Sequence, residues 1–306
     1  MIKPDRLKSD DTIGIIAPAS SFDIDNFKTG VSVLKNCGYR VKYEPAIFNP
    51  CWSKPGHNRQ RAAQINRMFA DQKVKAILCA KGGSGSTEIL PYLDPDIIKN
   101  NPKIFVGYSD ITILLLYLQK IARMVVFHGP VVSHEIYADM NPMTLDYFFR
   151  LISNQSKNFK LSYPKMLAIR SGMASGILVG GNLSLIVKSL GGPYDFNSTG
   201  KILFLEDVEE NLRNIKKYLI ILKMAKKFDK IKGVIFGKMV GCYKREKNFI
   251  KVVLDVFTDN HFPILFRFPS GHSEKRGEFR ITLPLGVHAT IDADQMFVNI
   301  NEPVVK

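Results

Sequence analysis

The chain has 306 residues, of which 45% are apolar and 23% are charged, and its formal net charge at pH 7 is +15. This composition is typical of a soluble globular protein, and the length allows two domains with separate cores. The sequence contains no low-complexity segment and no repeat of fixed period, so a disordered chain and a repeat array are both disfavoured.

The cysteines and the apolar segments exclude further classes. The longest apolar stretch after the first strand, residues 111–118, is too short to span a bilayer, so no membrane partner is expected. The cysteines have neither CxxC motifs nor regular spacing, which disfavours a zinc site and a disulfide framework and favours a cytoplasmic location. They are Cys37, Cys51, Cys79 and Cys242.

The first half alternates short β-branched runs with amphipathic segments, as a parallel sheet covered by helices does. Strands are predicted at residues 12–17, 74–80, 103–108 and 124–127. Helical faces are predicted from the spacing of two apolar sets, Phe27, Val31 and Leu34, then Ala62, Ile65 and Phe69. The prediction is an α/β fold with an N-terminal doubly wound, mostly parallel sheet.

The second half predicts a smaller mixed α/β domain. A helix at 143–152 lies in a polar connection, and helices follow at 183–190 and 211–226. Strands are predicted at 176–179, 201–205, 233–236, 280–283 and 297–300. We therefore expect an N-terminal domain at 1–140, a connector at 141–168 and a C-terminal domain at 169–306.

Ser109 lies where a predicted strand gives way to an apolar helix that begins near Asp110. A serine on such a turn projects its hydroxyl from the carboxyl end of the sheet, and the helix amino terminus offers N–H groups to an oxyanion. The alternative is that Ser109 is only an N-cap, a role that serine performs well. The segment alone leaves both interpretations open.

Three glycines, Gly82, Gly83 and Gly85, follow the strand predicted at 74–80. They are compatible with a plain turn, a phosphate cradle or an oxyanion donor beside a neighbouring site. The segment matches neither GxGxxG nor the P-loop, so dinucleotide and ATP binding are disfavoured.

A serine nucleophile needs a base, and the base needs a carboxylate that fixes its tautomer. Of six histidines, His128 at a strand end and His272 in a polar loop are the candidates, and spacing does not choose between them. Glu206 is the acid nearest the end of its strand. The other acids in that cluster, which suit the start of a helix, are Asp207, Glu209 and Glu210.

Part of the positive charge lies in one helical segment. Its lysines surround an apolar stripe, which indicates a solvated helix face; nucleic-acid binding is the alternative. No nucleic-acid signature accompanies the charge, so no nucleic-acid partner is expected. The lysines are Lys216, Lys217, Lys223, Lys226 and Lys227.

Several short motifs occur in a recognisable order. They are Gly82-Gly83-Ser84-Gly85, Gly107-Tyr108-Ser109-Asp110-Ile111-Thr112, His128-Gly129-Pro130, Gly180-Gly181-Asn182-Leu183, Leu205-Glu206-Asp207, Gly271-His272 and Leu283-Pro284-Leu285-Gly286. In this order, over nearly the whole chain, the sequence resembles the serine LD-carboxypeptidase family. That family includes muramoyltetrapeptide carboxypeptidases of murein recycling and microcin C self-immunity proteins.

The resemblance implies a catalytic triad shared by the two domains, with its site in the cleft between them. Ser109 would be the nucleophile, His272 the general base and Glu206 the carboxylate that orients it. The implied oxyanion donors are the backbone N–H groups of Asp110 and of Gly82 or Gly83. No cofactor and no metal is needed. His128 becomes a structural residue, and a homodimer is expected.

The implied reaction releases terminal D-alanine from an L-centre of murein tetrapeptide, a small peptide, through an acyl-enzyme. Lys81 is a candidate for binding the substrate carboxylate, and Asn182 for shaping the cleft. Lys81 replaces the arginine frequent in the family, and the charged segment 273–282 is longer than usual, so both bear on substrate choice.

Two alternatives remain. One is a microcin C-type amidase acting on peptidyl-nucleotides, which predicts an aromatic residue that stacks on a base. The only tryptophan, Trp52, is predicted to pack in the first domain, which favours murein. The other is a non-enzymatic anion-binding protein with a family-like fold.

Overall fold

The protein is described by a computed structural model covering residues 1–54, 56–137, 141–155, 159–275 and 277–306. The chain forms two compact units. The first consists of Met1–Gln155, Lys275–Pro284 and Val304–Lys306, and the second of Ser156–Glu274 and Leu285–Pro303. The predicted boundaries at 140 and 168 stay predictions, and residues 138–140 and 156–158 near them lie outside the described residues.

Strands and helices alternate along much of the chain. The strands are β1 Thr12–Ile16, β2 Arg40–Lys42, β3 Val74–Cys79, β4 Ile104–Gly107, β5 Val126–His128, β6 Phe159–Ser162, β7 Leu167–Arg170, β8 Met173–Asn182, β9 Lys201–Val208, β10 Gly233–Val240, β11 Ile264–Phe266, β12 Leu283–Leu285, β13 His288–Asp292 and β14 Phe297–Ile300. The α-helices are α1 Ile24–Asn36, α2 Asn58–Ala70, α3 Ser86–Ile89, α4 Pro95–Asn100, α5 Thr112–Tyr117, α6 Pro142–Ser153, α7 Leu183–Lys188, α8 Leu212–Met224 and α9 Glu246–Val256.

The first sheet has the order β12-β5-β4-β3-β1-β2, and the pairs from β5 to β2 are parallel. The predicted doubly wound sheet is therefore confirmed. Its central strands are buried apolar runs, as strands covered on both faces by helices must be. The strand order reverses beside β1, and ligands of such sheets bind beyond the carboxyl ends of the strands at this point. The loops after β1, β3 and β4 begin there.

The second sheet has the order β6-β14-β13-β8-β9-β10-β11-β7. The pairs from β8 to β11 are parallel, whereas the outer pairs are antiparallel, so the predicted mixed α/β character is also confirmed. The prediction missed β6, β7, β11, β13 and α9, but placed β14 correctly.

The strand predicted at 280–283 is wrong, because β12 begins only at Leu283. The backbone N–H of Arg280 donates instead to Thr144 Oγ1 at 2.9 Å, and its side chain pairs with Glu135. The contacts of Arg280 with Thr144 and the buried Glu135 therefore take the place of the predicted strand pairing.

The lysine-rich helix α8 buries Ile215, Leu219 and Leu222 and leaves most of its lysines exposed. This supports the interpretation of the basic cluster as a solvated helix face. In the part of the chain that the structure describes, no helix combines the length and the apolarity needed to cross a membrane.

Candidate active site

Ser109 lies at a sharp reversal between β4 and α5. Tyr108 is extended, with φ −154°, and Ser109 has φ 62°, in the left-handed region that serine rarely adopts. Ser109 opens the 3₁₀ turn Ser109–Ile111 that leads into α5, and the residue at the N-cap position is Tyr108. The alternative that Ser109 is only an N-cap is therefore wrong. Such backbone strain costs about 1–3 kcal/mol and is concentrated at functional sites.

The glycine loop after β3 lies directly against this serine. A Cβ atom added to Gly82 would lie 2.9 Å from Ser109 Cβ and 3.3 Å from Ser109 Oγ. Gly83 and Gly85 both have φ 112°, a conformation that favours glycine. The absence of a side chain at Gly82 lets the loop backbone approach the serine, as an oxyanion donor must.

Hydrogen bonds join this loop to its surroundings. The Ser20 N–H donates to the Gly82 carbonyl at 3.2 Å, and the Ser84 N–H donates to Ser20 Oγ at 3.0 Å. The Ser86 N–H donates to the buried carboxylate of Asp110 at 2.8 Å. Asp110 thus ties the start of α3 to the Ser109 turn. Its own N–H lies in the first turn of a helix, where such groups lack intrahelical partners.

A buried arginine that the sequence analysis missed supports the same loops. Arg61 is fully buried, and its Nη1 donates to the Pro18 carbonyl at 2.9 Å while its Nη2 donates to Asn58 Oδ1 at 2.5 Å. A Cβ on Gly85 would lie 2.7 Å from Nη1. Burial lowers the pKa of Arg61 from its usual value. The sequence signal that could have revealed the burial of Arg61 was its position on the apolar face of α2, one residue before Ala62.

In the second unit, Glu206 and His272 form the expected pair. Glu206 is fully buried near the end of β9, and its Oε2 lies 2.7 Å from His272 Nδ1. The same oxygen accepts the His272 backbone N–H at 3.3 Å, and Gly271, with φ 106°, brings the loop within contact of the carboxylate. When Nδ1–H donates to a carboxylate, Nε2 keeps its lone pair and can act as a base. Of the acids in this cluster, the structure thus shows Glu206 in contact with this histidine.

Asn182 has its side chain engaged inside the second unit. Its Oδ1 accepts the Leu185 N–H at 3.2 Å and caps α7, and its Nδ2 donates to Asp207 Oδ1 at 3.0 Å. The Ser184 N–H donates to the other Asp207 oxygen at 2.9 Å. Burial, and then the charge of Glu206, raise the pKa of Asp207 to about 6. These bonds indicate that Asn182 holds the acid beside Glu206, while substrate binding by Asn182 stays a prediction.

His128, the other candidate base, is buried at the end of β5, opposite Gly107 on β4. Its ring makes an edge-to-face contact with Tyr108, with 5.9 Å between centroids. This position supports the structural role that the resemblance implies.

Lys81 and the charged segment 273–282 adjoin site residues in the sequence, since Lys81 precedes Gly82 and the segment follows His272. Lys81 is half-buried and directly precedes the glycine loop, and its role in binding a carboxylate stays a prediction. Lys275–Pro284 belongs to the first unit, and Arg276 lies outside the described residues. Within the described ranges, no group of three or more His, Cys, Asp or Glu side chains is placed to hold a metal ion.

The comparisons with known proteins decide the family. The chain matches the LD-carboxypeptidase N-terminal domain over residues 13–129 and the LD-carboxypeptidase C-terminal domain over residues 175–291. It is 35% identical to the probable murein peptide carboxypeptidase of Bacillus subtilis, over 95% of this chain and 91% of that protein. The chain belongs to the LD-carboxypeptidase family.

Other relatives extend over a similar length. The chain is 28% identical to the microcin C7 self-immunity protein MccF of Escherichia coli, over 95% of this chain and 93% of that protein. An MccF-like protein from Bacillus anthracis has a TM-score of 0.90 at 27% identity, covering 99% of this chain and 100% of that one. The muramoyltetrapeptide carboxypeptidase of Oxalobacter formigenes shares the fold, with a TM-score of 0.82 at 24% identity and coverages of 94% and 97%.

Family membership confirms the resemblance inferred from the motifs and makes the chain a carboxypeptidase-type hydrolase. The structure brings Gly82 against Ser109 in the first unit, and the Ser86 N–H of the same loop donates to Asp110, the residue after Ser109. It brings Glu206 to His272 in the second.

Proposed function

We propose that this LD-carboxypeptidase family member is a serine peptidase that releases terminal D-alanine from murein tetrapeptide. The observation that carries the proposal is the 2.7 Å contact between the buried Glu206 carboxylate and His272 Nδ1. It reserves Nε2 of the histidine for proton transfer. The strained, glycine-flanked Ser109 supplies a matching nucleophile.

In the proposed mechanism, Ser109 Oγ attacks the carbonyl carbon while His272 Nε2 takes the hydroxyl proton. The N–H groups of Asp110 and of Gly82 or Gly83 stabilise the oxyanion. His272 then gives the proton to the leaving amine, the C–N bond breaks and D-alanine departs. Water, deprotonated by His272, hydrolyses the resulting ester and regenerates Ser109.

Glu206 has two tasks in this scheme. It holds the imidazole with the proton on Nδ1, and it stabilises the imidazolium that forms during attack. Its complete burial strengthens both effects, because charges interact more strongly away from water. Lys81 is proposed to attract the free carboxylate of the substrate, and Asn182 to keep the second unit's acidic pair in place.

The alternative substrate is a peptidyl-nucleotide of the microcin C type. MccF has been crystallised with aspartyl sulfamoyl adenosine, and MccF relatives match this chain closely in fold. Against this, Trp52 is only 5% exposed, and its Nε1 donates to the Ala17 carbonyl at 2.9 Å. The tryptophan is therefore committed to the core, which supports the murein substrate. A cytoplasmic location and a homodimer are proposed with it.

The test compares the wild type with Ser109→Ala on two substrates, free murein tetrapeptide and aspartyl sulfamoyl adenosine, with products identified by mass. Ser32→Ala is the matched control, because Ser32 is exposed on α1 and its hydroxyl bonds to the Lys28 carbonyl of the same helix. We expect D-alanine from wild type and Ser32→Ala, and none from Ser109→Ala. Cleavage of aspartyl sulfamoyl adenosine alone would establish the alternative substrate. D-alanine release by Ser109→Ala would overturn the assignment of Ser109 as nucleophile.

A further inference from the structure

Glu135 is a buried carboxylate that the proposed mechanism does not use. It lies in the helical turn Val132–Ile136 that follows β5 and is 2% exposed. A buried charge is unfavourable unless it is paired and hydrogen-bonded. Its carboxylate contacts Tyr108 Oη at 2.5 Å, His134 Nδ1 at 2.6 Å, the Val131 N–H at 2.9 Å and Arg280 Nη1 at 3.1 Å.

Arg280 is the main counterion of this carboxylate. His134 is nearer, but its side chain is 60% exposed and its interaction is weakened by water and salt. The Arg280 side chain is only 13% exposed, and its backbone N–H is fixed by Thr144 Oγ1. Burial alone would raise the pKa of Glu135, but the His134 contact, the Arg280 charge and the Tyr108 bond lower it to about 2. The carboxylate therefore stays ionised at neutral pH.

Tyr108 connects this ion pair to the nucleophile, because it immediately precedes Ser109. Its hydroxyl is held by Glu135, and its ring packs edge-to-face on His128. The chain reverses at the very next residue, where φ changes from −154° to 62°. A side chain held at both its ring and its hydroxyl fixes the point from which Ser109 projects. Small displacements of a nucleophile lower rates strongly.

We infer that Glu135, held by Arg280, is a positioning residue that fixes the Ser109 turn through the Tyr108 hydroxyl. The inference rests on the proposed function, which gives Ser109 its catalytic role. It also assigns a task to Arg280 in the charged segment 273–282, where the sequence indicated only an effect on substrate choice.

The first test is Tyr108→Phe, which removes one hydroxyl and keeps the ring on His128. We expect kcat for D-alanine release to fall about 10- to 100-fold, the range for losing a hydrogen bond to a charged group. We expect KM to change less than about twofold, since the loss affects positioning and not ground-state binding. Tyr92→Phe, at an exposed position, is the matched control and keeps full activity.

Two further variants separate positioning from general damage. His134→Ala removes the exposed partner of the same carboxylate, and we expect less than about a threefold loss of kcat. Glu135→Met/Arg280→Met removes both buried charges together, so neither is left unpaired, and it also removes the acceptor of the Tyr108 hydroxyl. It should lower kcat as Tyr108→Phe does, and adding Tyr108→Phe to it should change kcat no further, because the two act through one contact.

A readout without substrate keeps this inference separate from the proposed function. In a Ser109→Cys background, the rate of alkylation of the new thiol by iodoacetamide is followed by peptide mass spectrometry, with the exposed Cys37 as internal standard. We expect Tyr108→Phe to change this rate about fivefold or more relative to Cys37. If the wild type releases no D-alanine, the proposed function fails and alkylation still decides the inference.

The inference is overturned if Tyr108→Phe leaves both kcat and the alkylation ratio within about twofold of the wild-type background. A loss confined to KM, or an equal kcat loss in His134→Ala, would overturn it as well. Thermal unfolding of each variant shows whether any loss of activity follows from loss of the fold.

Discussion

The proposed nucleophile in the first unit and the proposed base in the second have different surroundings, the nucleophile region around Ser109 and the base region around His272. The nucleophile region of the first unit depends on backbone conformation, because Ser109 has a left-handed conformation and the backbone of Gly82 lies close to its side chain. The base region of the second unit depends on side-chain chemistry, with a fully buried Glu206 bonded to His272. The first region should therefore be sensitive to added atoms, and the second to changes of charge that leave the shape intact.

The buried acids show the same contrast. Glu135 in the first unit has Arg280 beside it, and the pKa of its carboxyl is lowered to about 2. Asp207 in the second unit has another carboxylate, Glu206, as its neighbour, and the pKa of its carboxyl is raised to about 6. An ion pair holds the nucleophile region together, whereas two acids of like charge lie side by side next to the base.

The largest effects are expected when either region loses its proposed catalytic side chain. Ser109→Ala and His272→Ala should each lower kcat about 10⁴-fold or more, because a triad acts as a unit. For the same reason the double variant should be no slower than either single one. Single-turnover release of D-alanine measures all three. If the two losses multiply, the regions act independently and the shared mechanism is wrong.

Glu206→Gln tests the side-chain character of the base region. The carboxamide keeps the shape but places an NH₂ group where an acceptor is needed, so the imidazole loses its tautomer and its counter-charge. We expect kcat to fall about 10³- to 10⁴-fold. Glu209→Gln, at an exposed position in the same acidic cluster, is the control. Equal activity of the two variants would remove Glu206 from the triad.

The sequence alone predicted most of the first sheet, because β1, β3 and β4 are buried runs of β-branched and other apolar residues. It missed β2, which has three residues and an exposed arginine and lysine at its ends, and so carries no apolar signal. It also missed β11, which is equally short. Strands of three residues offer little periodicity, and β5, which is as short, was predicted because it continues the apolar run 124–127.

The candidate site was predicted less completely, for reasons that lie in three dimensions. No local sequence pattern indicates that Ser109 has φ 62° or that Tyr108 occupies the N-cap position, and it is the position of Tyr108 that excludes the N-cap alternative. Spacing did not choose between His272 and His128. The family resemblance did, and it agrees with the contact between His272 and Glu206, which are 66 residues apart in sequence. The Glu135–Arg280 pair spans 145 residues, and no local pattern announces it.

Gly82→Ala tests the backbone character of the nucleophile region. The new Cβ would lie 2.9 Å from Ser109 Cβ, closer than such atoms normally approach, so one of the two segments must move. We expect kcat to fall about 10- to 100-fold. Gly191→Ala is the control. Gly191 has φ 72°, so an alanine there strains the backbone, but its Cβ would contact nothing within 4 Å, and the position is far from Ser109 in sequence. It should lose about 1 kcal/mol of stability and no activity. Normal kcat in Gly82→Ala would contradict the proposed oxyanion loop.

The last expected effect is on stability, not on activity, and it involves the acids of the base region. Burial, and then the charge of Glu206, raise the pKa of Asp207 to about 6 in the folded protein, from the ordinary value of 3.8 that applies to the unfolded chain. Between these values the folded state keeps a proton that the unfolded state loses, so the contribution of Asp207 to stability falls as pH rises from 3.8 to 6. The total change is about 3 kcal/mol at most.

Asp207→Asn removes this titration, although its amide replaces an oxygen that accepts the Ser184 N–H and so lowers stability at every pH. The difference in unfolding free energy between variant and wild type should therefore shift in favour of the variant as pH rises from about 4 to about 6.5. Denaturant unfolding at several pH values measures it, with exposed Asp229→Asn as control. A difference that does not change with pH would show that burial and the Glu206 charge do not raise the pKa of Asp207, and the contrast with Glu135 would fail.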